Sequence, residues 1–95
     1  DKLSEENINL IIKKELLEFK KRLDEKAVHL EFSEDIINYF TIHGYNHEYG
    51  ARPLKRLIEK QLGTFIADEI IKNNIKKKNK VFIDIADNNF IYKVQ

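Results

Sequence analysis

The sequence predicts an α+β fold in which a small three-stranded sheet is covered by helices. Three observations carry that expectation. Long segments repeat apolar residues every three or four positions, as amphipathic helices do, and short segments alternate them every second position, as half-buried strands do. These segments follow one another as helix, strand, helix, bent helix and β-hairpin, an order suited to one sheet with helices on one face.

Ser4 has the chemistry of an N-cap, and Glu5 and Glu6 follow it where the helix dipole favours acids. Ile8, Ile11, Ile12, Leu16, Phe19 and Leu23 then form one apolar stripe through to about Glu25, with Lys13, Lys14, Lys20, Lys21 and Arg22 largely off it. The spacing predicts a helix of roughly 20 residues, about 30 Å long. Val28, Leu30 and Phe32 alternate with His29 and Glu31, which predicts a strand. Ser33 caps a second helix whose inner face is Ile36, Ile37 and Phe40, and Gly44 suits a left-handed stop.

A short aromatic-rich loop over 45–50 leads to the third helix, with Leu54, Leu57, Ile58, Leu62, Phe65, Ile66 and Ile70 on one stripe. The phase survives across Gly63-Thr64, so one helix bent or briefly interrupted at Gly63 is expected. Asn73-Asn74 ends it, and Lys76-Lys77-Lys78-Asn79-Lys80 forms a charged connector. Val81, Ile83 and Ile85 alternate, Asp87-Asn88-Asn89 supplies turn residues, and Phe90, Tyr92 and Val94 alternate again, the pattern of a hairpin.

A chain of 95 residues forms a single domain with a modest core, too small for a cleft between two lobes. It is 42% hydrophobic and 35% charged, and no apolar run approaches the ~20 residues of a membrane span. With no cysteine, disulfides and thiol chemistry are excluded, which fits a reducing compartment such as the cytosol or an organelle matrix. A net charge of +1 gives no general basis for binding nucleic acid or a membrane surface. The chain opens at Asp1 without Met or a signal-like segment, the expectation for a fragment of a longer protein.

One stretch breaks a local rule. In Tyr49-Gly50-Ala51-Arg52-Pro53-Leu54-Lys55-Arg56, Pro53 belongs in a first helical turn, where its missing N–H finds no partner anyway. Helix starts favour acids and disfavour bases by ~0.3–1 kcal/mol each, yet Arg52, Lys55 and Arg56 gather here. Such a cluster makes sense if an anion, most simply a phosphate, is brought to it. Lys55 and Arg56 have an alternative, pairing with Glu59 at i, i+4 and i, i+3, which leaves Arg52 unexplained.

These residues carry a family resemblance. Gly44-Tyr45 followed by Tyr49-Gly50-Ala51-Arg52-Pro53-Leu54-Lys55-Arg56 resembles the sensor-2 motif of Clp-family AAA+ unfoldases. The element order is similar to the C-terminal small subdomain, or lid, of their second ATPase module, nearest the ClpB type. The resemblance covers nearly the whole chain. It departs at Asn46-His47, where the family has Asp-Pro, at Thr64-Phe65, where it often has Asn-Pro, and at Asn73 and Lys78, where it has glycines. Asn reaches left-handed geometry readily and Lys less so.

The resemblance implies that Arg52 reaches from the lid to the phosphates of Mg-ATP held mainly by the adjoining large subdomain. It implies that Ile11 covers the adenine and Ala51 lines the pocket. The implied partners are the large AAA+ subdomain of the same chain, neighbouring protomers of a hexamer, and unfolded or aggregated protein substrates. The chain has neither a phosphate-binding Gly-x-x-x-x-Gly-Lys-Ser/Thr loop nor an acidic pair after an apolar strand for magnesium, so alone it should not hydrolyse ATP. Other classes are weaker. A small nucleic-acid-binding or protein-interaction module would rest on Lys76, Lys77, Lys78 and Lys80, which lack interleaved aromatics or arginines. A metal site from His43, His47 and Glu48 lacks further ligands. Asp84 and Asp87 read as strand-edge and turn residues without a catalytic partner.

Overall fold

A computed structural model describes residues 5–44 and 54–95. Helix α1 (Glu5–Glu25) leads to strand β1 (His29–Phe32) and helix α2 (Glu34–Gly44). Helix α3 (Leu54–Ile58), a π-helical segment (Glu59–Gly63) and helix α4 (Thr64–Ile71) follow, then strands β2 (Lys80–Ala86) and β3 (Asn89–Val94). The α+β class and the order of elements agree with the sequence pattern. The expected cap at Ser4, the loop over 45–50 and the helix start at Pro53 lie outside the described residues.

α1 buries Ile8, Ile12, Leu16 and Phe19 and keeps Ile11 and Leu23 half-buried against them. It ends where Ala27 takes a left-handed φ of 63°. Ala27 N donates to Asp24 O and Val28 N to Leu23 O, both at 2.9 Å, which satisfies carbonyls the helix would leave orphaned. Lys78 is also left-handed, with φ 74°, and its N–H donates to Ala27 O at 2.6 Å. Each turn therefore holds the other, and His29 N donates to Asn79 O at 3.0 Å to start the pairing of β1 with β2.

The sheet order is β1-β2-β3, with β1 parallel to β2 and β3 antiparallel to it. Leu30 faces Val81 and Phe32 faces Ile83; Tyr92 and Phe90 oppose Ile83 and Ile85 on the same side. That side meets the helices, and Leu30, Val81 and Ile83 are buried there. In the two-residue hairpin turn, Asp87 (φ 51°) and Asn88 (φ 62°) are both left-handed, the geometry that matches the twist of the flanking strands. Asn89, expected in the turn, already pairs with Ala86.

Ser33 caps α2 as expected, accepting from Ile36 N at 3.3 Å, and its hydroxyl also donates to Asp84 Oδ1 at 2.7 Å. That bond, helped by the Ile85 N–H, holds the Asp84 carboxyl below its ordinary range. Asp84 is therefore no strand-edge residue: β2 is the central strand, and Asp84 ties it to the α2 cap. Gly44 also departs from expectation. It is the last residue of α2, buried, and without a left-handed φ. Its reason is steric, since a Cβ built there would overlap Leu54 Cδ1.

The third apolar stripe explains the π segment. Leu54, Ile58, Leu62 and Ile66 are all buried and spaced by four. On a regular α-helix each four-residue step advances about 40° around the axis, so the stripe would wind off the core within a few turns. A π turn takes in an extra residue and cancels that drift. The expected bend at Gly63 is therefore a widening: Ile58, Gly63 and Thr64 all keep right-handed helical angles, and the backbone runs on. A second row, Leu57, Gln61, Phe65 and Glu69, is half-buried. Phe65 packs on Phe90 and Tyr92, and Glu69 accepts from Tyr92 Oη at 2.7 Å. The helix ends in the same way as α1. Asn73 has φ 67°, with Asn73 N donating to Ile70 O and Asn74 N to Glu69 O, each at 2.9 Å. Beyond it Ile75, absent from the expected stripes, is buried and anchors the lysine-rich connector.

Candidate functional site

Of the three residues singled out by sequence, Ile11 is described; Ala51 and Arg52 lie outside the described residues. What is described is the corner that bounds them. Gly44 closes α2 and Leu54 opens α3, and the glycine leaves just enough room for the Leu54 side chain, with Leu54 Cγ and Leu57 Cδ2 each 3.7 Å from where a Cβ would sit. The described residues on either side of segment 45–53 therefore meet at one corner. Arg52 stands two residues before Leu54 in the sequence.

Ile11 belongs to the same end of the molecule. Phe19 touches the Gly63 position, and Phe19, Arg22, Leu23 and Lys26 line a cleft with Glu59, Gly63, Ile66 and Ile70. The early turns of α1 lie by the end of α2, which meets Leu54 at Gly44. Thr41, one turn before Gly44, donates to Asn9 Oδ1 at 2.6 Å and fixes α2 beside those turns. Ile11 offers a half-buried apolar surface there.

The electrostatics of the corner differ from one of the two sequence alternatives. Glu59 is engaged by Arg22, whose Nη1 lies 2.7 Å from Glu59 Oε2. The Arg22 hydrogen bond is the main cause that lowers the Glu59 carboxyl below its ordinary range, and the Lys55 charge acts on it only through space. Lys55 and Arg56 are exposed, and neither forms an ion pair with the described residues. Positive charge at the helix start is therefore left unneutralised by Glu59.

Sequence reasoning missed the partners that grip this helix. Arg22 was read only as a cation off the α1 stripe, yet it is the partner of Glu59. Tyr39, not singled out at all, donates from Oη to Gln61 Oε1 at 2.8 Å. Neither pair has a local signal, because each joins elements far apart in sequence. His43 is exposed and packs at a tilt of 44° against the Tyr39 ring, 4.5 Å between centroids. His47 and Glu48 lie outside the described residues.

Comparison with known proteins gives this fold its class. The chain is similar to proteins called "Chaperone protein ClpB": 33% identical over 90 residues to that of Prochlorococcus marinus, covering 95% of this chain and 10% of the relative. The Malacoplasma penetrans protein is 36% identical over 78 residues, 82% of this chain and 11% of its own length. That of Rickettsia prowazekii is 39% identical over 82 residues, 86% and 10% respectively. The domain is a chaperone AAA+ lid domain. More narrowly, the family model for the C-terminal, D2-small domain, of ClpB protein matches residues 3–83, and the chain belongs to that family. It spans about a tenth of the length of these relatives.

Proposed function

We propose that this chain is the lid of an ATP-driven protein unfoldase or disaggregase, and that Arg52 reports the state of a nucleotide held mainly by the adjoining large subdomain. Arg52 engages the phosphates. Its guanidinium is always charged and offers two donors to phosphate oxygens, which suits an interaction that stabilises charge during phosphoryl transfer. Ala51 lines the pocket and Ile11 covers the base. Bound Mg-ATP supplies the transferable phosphoryl group; this chain supplies orientation and positive charge. When the γ-phosphate leaves, Arg52 loses a partner and the lid shifts as a rigid body, passing the change to neighbouring protomers of a hexamer acting on unfolded or aggregated protein. The isolated domain has no ATPase activity of its own.

What supports this reading is the match to the C-terminal, D2-small domain of ClpB protein, together with exposed Lys55 and Arg56 at the start of α3 that form no ion pair with the described residues. In the full-length protein, Arg52→Ala is expected to lower ATP turnover at least tenfold with the fold retained, in line with the ~10³–10⁵ that trans-acting arginines contribute in related chemistry. Wild-type turnover with normal assembly would overturn the role of Arg52.

A further inference from the structure

Helix α1 buries one side in the core and turns the other outward. On a regular α-helix, residues 10, 13, 14, 17, 20 and 21 share an arc of about 120° on the side away from the buried Ile8, Ile12, Leu16 and Phe19. That arc carries Leu10, Lys13, Lys14, Leu17, Lys20 and Lys21, four cations around two leucines, and holds no acid between its ends. Leu10 and Leu17 are 64% and 50% exposed. Among the described residues none of the four lysines forms an ion pair, although Glu15 and Glu18 stand on the same helix. Asp24, the next acid along this face, is already engaged by His29 at 2.8 Å. The whole chain carries only +1, so this strip concentrates positive charge that the rest of the surface cancels.

We propose that this outer face of α1 is a docking surface for an acidic helix of a partner protein, one that carries aliphatic residues between its acids. Leu10 and Leu17 are seven residues apart, the spacing by which a helix presents a seam to another lying along it. Lysines beside such a seam select acids on the flanks of the partner helix. The strip from Leu10 to Lys21 runs for about 16 Å, long enough to hold a short helix. A nucleic-acid backbone would match the charge but leave the leucines unused, and the face has no arginine or aromatic ring to hold a base. A helix lying on a membrane buries a continuous apolar face. The continuous apolar face of α1 lies in the core, which leaves two leucines about 10 Å apart on the outside. A protein helix is the partner that uses both the charge and the leucines.

The test titrates a fluorescent helical peptide, with leucines at heptad spacing and glutamates on both flanks, against the full-length protein, and follows anisotropy, assembly state and melting temperature. Saturable binding that weakens as salt is raised is expected. Lys13→Glu, Lys14→Glu, Lys20→Glu and Lys21→Glu combined should weaken it about tenfold or more, as should Leu10→Ser with Leu17→Ser. The same charge change at the exposed Lys60, Lys76, Lys77 and Lys93 should leave the affinity within about twofold. A peptide with lysines in place of the glutamates should bind only the variant with the four lysines of α1 reversed, a result that a damaged fold cannot give. Absence of binding, equal loss from the lysines elsewhere, or no reversal with the lysine peptide would overturn the proposal. So would tighter binding of phosphatidylglycerol vesicles or duplex DNA than of the peptide. Dissociation of the assembly by the variants of this face would overturn it as well, by giving the face to a neighbouring protomer.

Discussion

At the scale of single residues, two glycines of similar appearance have opposite roles. Gly44 sits against the buried side chain of Leu54, which has no open space to retreat into, so Gly44→Ala overpacks the corner and should cost about 1–3 kcal/mol. Gly63 has ordinary helical angles, and a Cβ there would meet only Phe19 Cε1 at 3.7 Å, a normal contact. Gly63→Ala should therefore stabilise by roughly 0.4–1 kcal/mol by restricting the unfolded chain. Urea unfolding of the two variants checks both signs; equal signs would refute the distinction. Lys78 is the converse case, a side chain held in left-handed geometry where the resembling family has glycine. Lys78→Gly is expected to raise stability by up to about 1 kcal/mol in the same assay, since a left-handed L residue costs ~1–2 kcal/mol and glycine returns part of that as unfolded-state entropy.

At the scale of elements, the sequence pattern was legible wherever the period was regular. The α1 stripe, the β1 alternation, the Ser33 cap and the hairpin all follow from nearest-neighbour chemistry. The π segment was half legible: the unbroken phase across Gly63 predicted one helix, though bent or briefly interrupted there, and the fourfold spacing of Leu54, Ile58, Leu62, Ile66 and Ile70 contains the reason it widens. What stayed hidden depends on distant partners. Ala27 gives no sign of a left-handed turn until Lys78 is seen bonded to its carbonyl, and Asp84 looks like an edge residue until Ser33 is seen donating to it. Deletion offers a direct test of the π turn. Removing the exposed Lys60 would leave steps of four, three and four along the buried row, which α-geometry keeps within an arc of about 60°, against about 120° for three steps of four. That deletion should keep the fold with a stability change within about 1 kcal/mol. Deleting the equally exposed Lys13 from regular α1 turns Ile8 and Ile12 by about 100° relative to Leu16 and should unfold the domain. Circular dichroism melts showing equal damage from both deletions would contradict the drift-correction account.

At the scale of the whole molecule, side-chain hydrogen bonds tie the described helices to the sheet. Helices lie against one side of the sheet, Tyr92 bonds β3 to α4 through Glu69, and Ser33 with Asp84 bonds α2 to β2. The candidate site was legible from sequence as an electrostatic anomaly, cations gathered at a helix start. Its supports were not, because Arg22 and Tyr39 act from other helices. The central claim is that nucleotide state moves this body through Arg52. The chain has no cysteine, so Ile71→Cys, 82% exposed at the end of α4, gives a single label position within the domain. In the full-length protein, distances from that label to one in the adjoining large subdomain should differ between the states bound to a non-hydrolysable ATP analogue and to ADP, and the difference should vanish in Arg52→Ala. Identical distance distributions in the two nucleotide states, or an undiminished difference without the arginine, would contradict it.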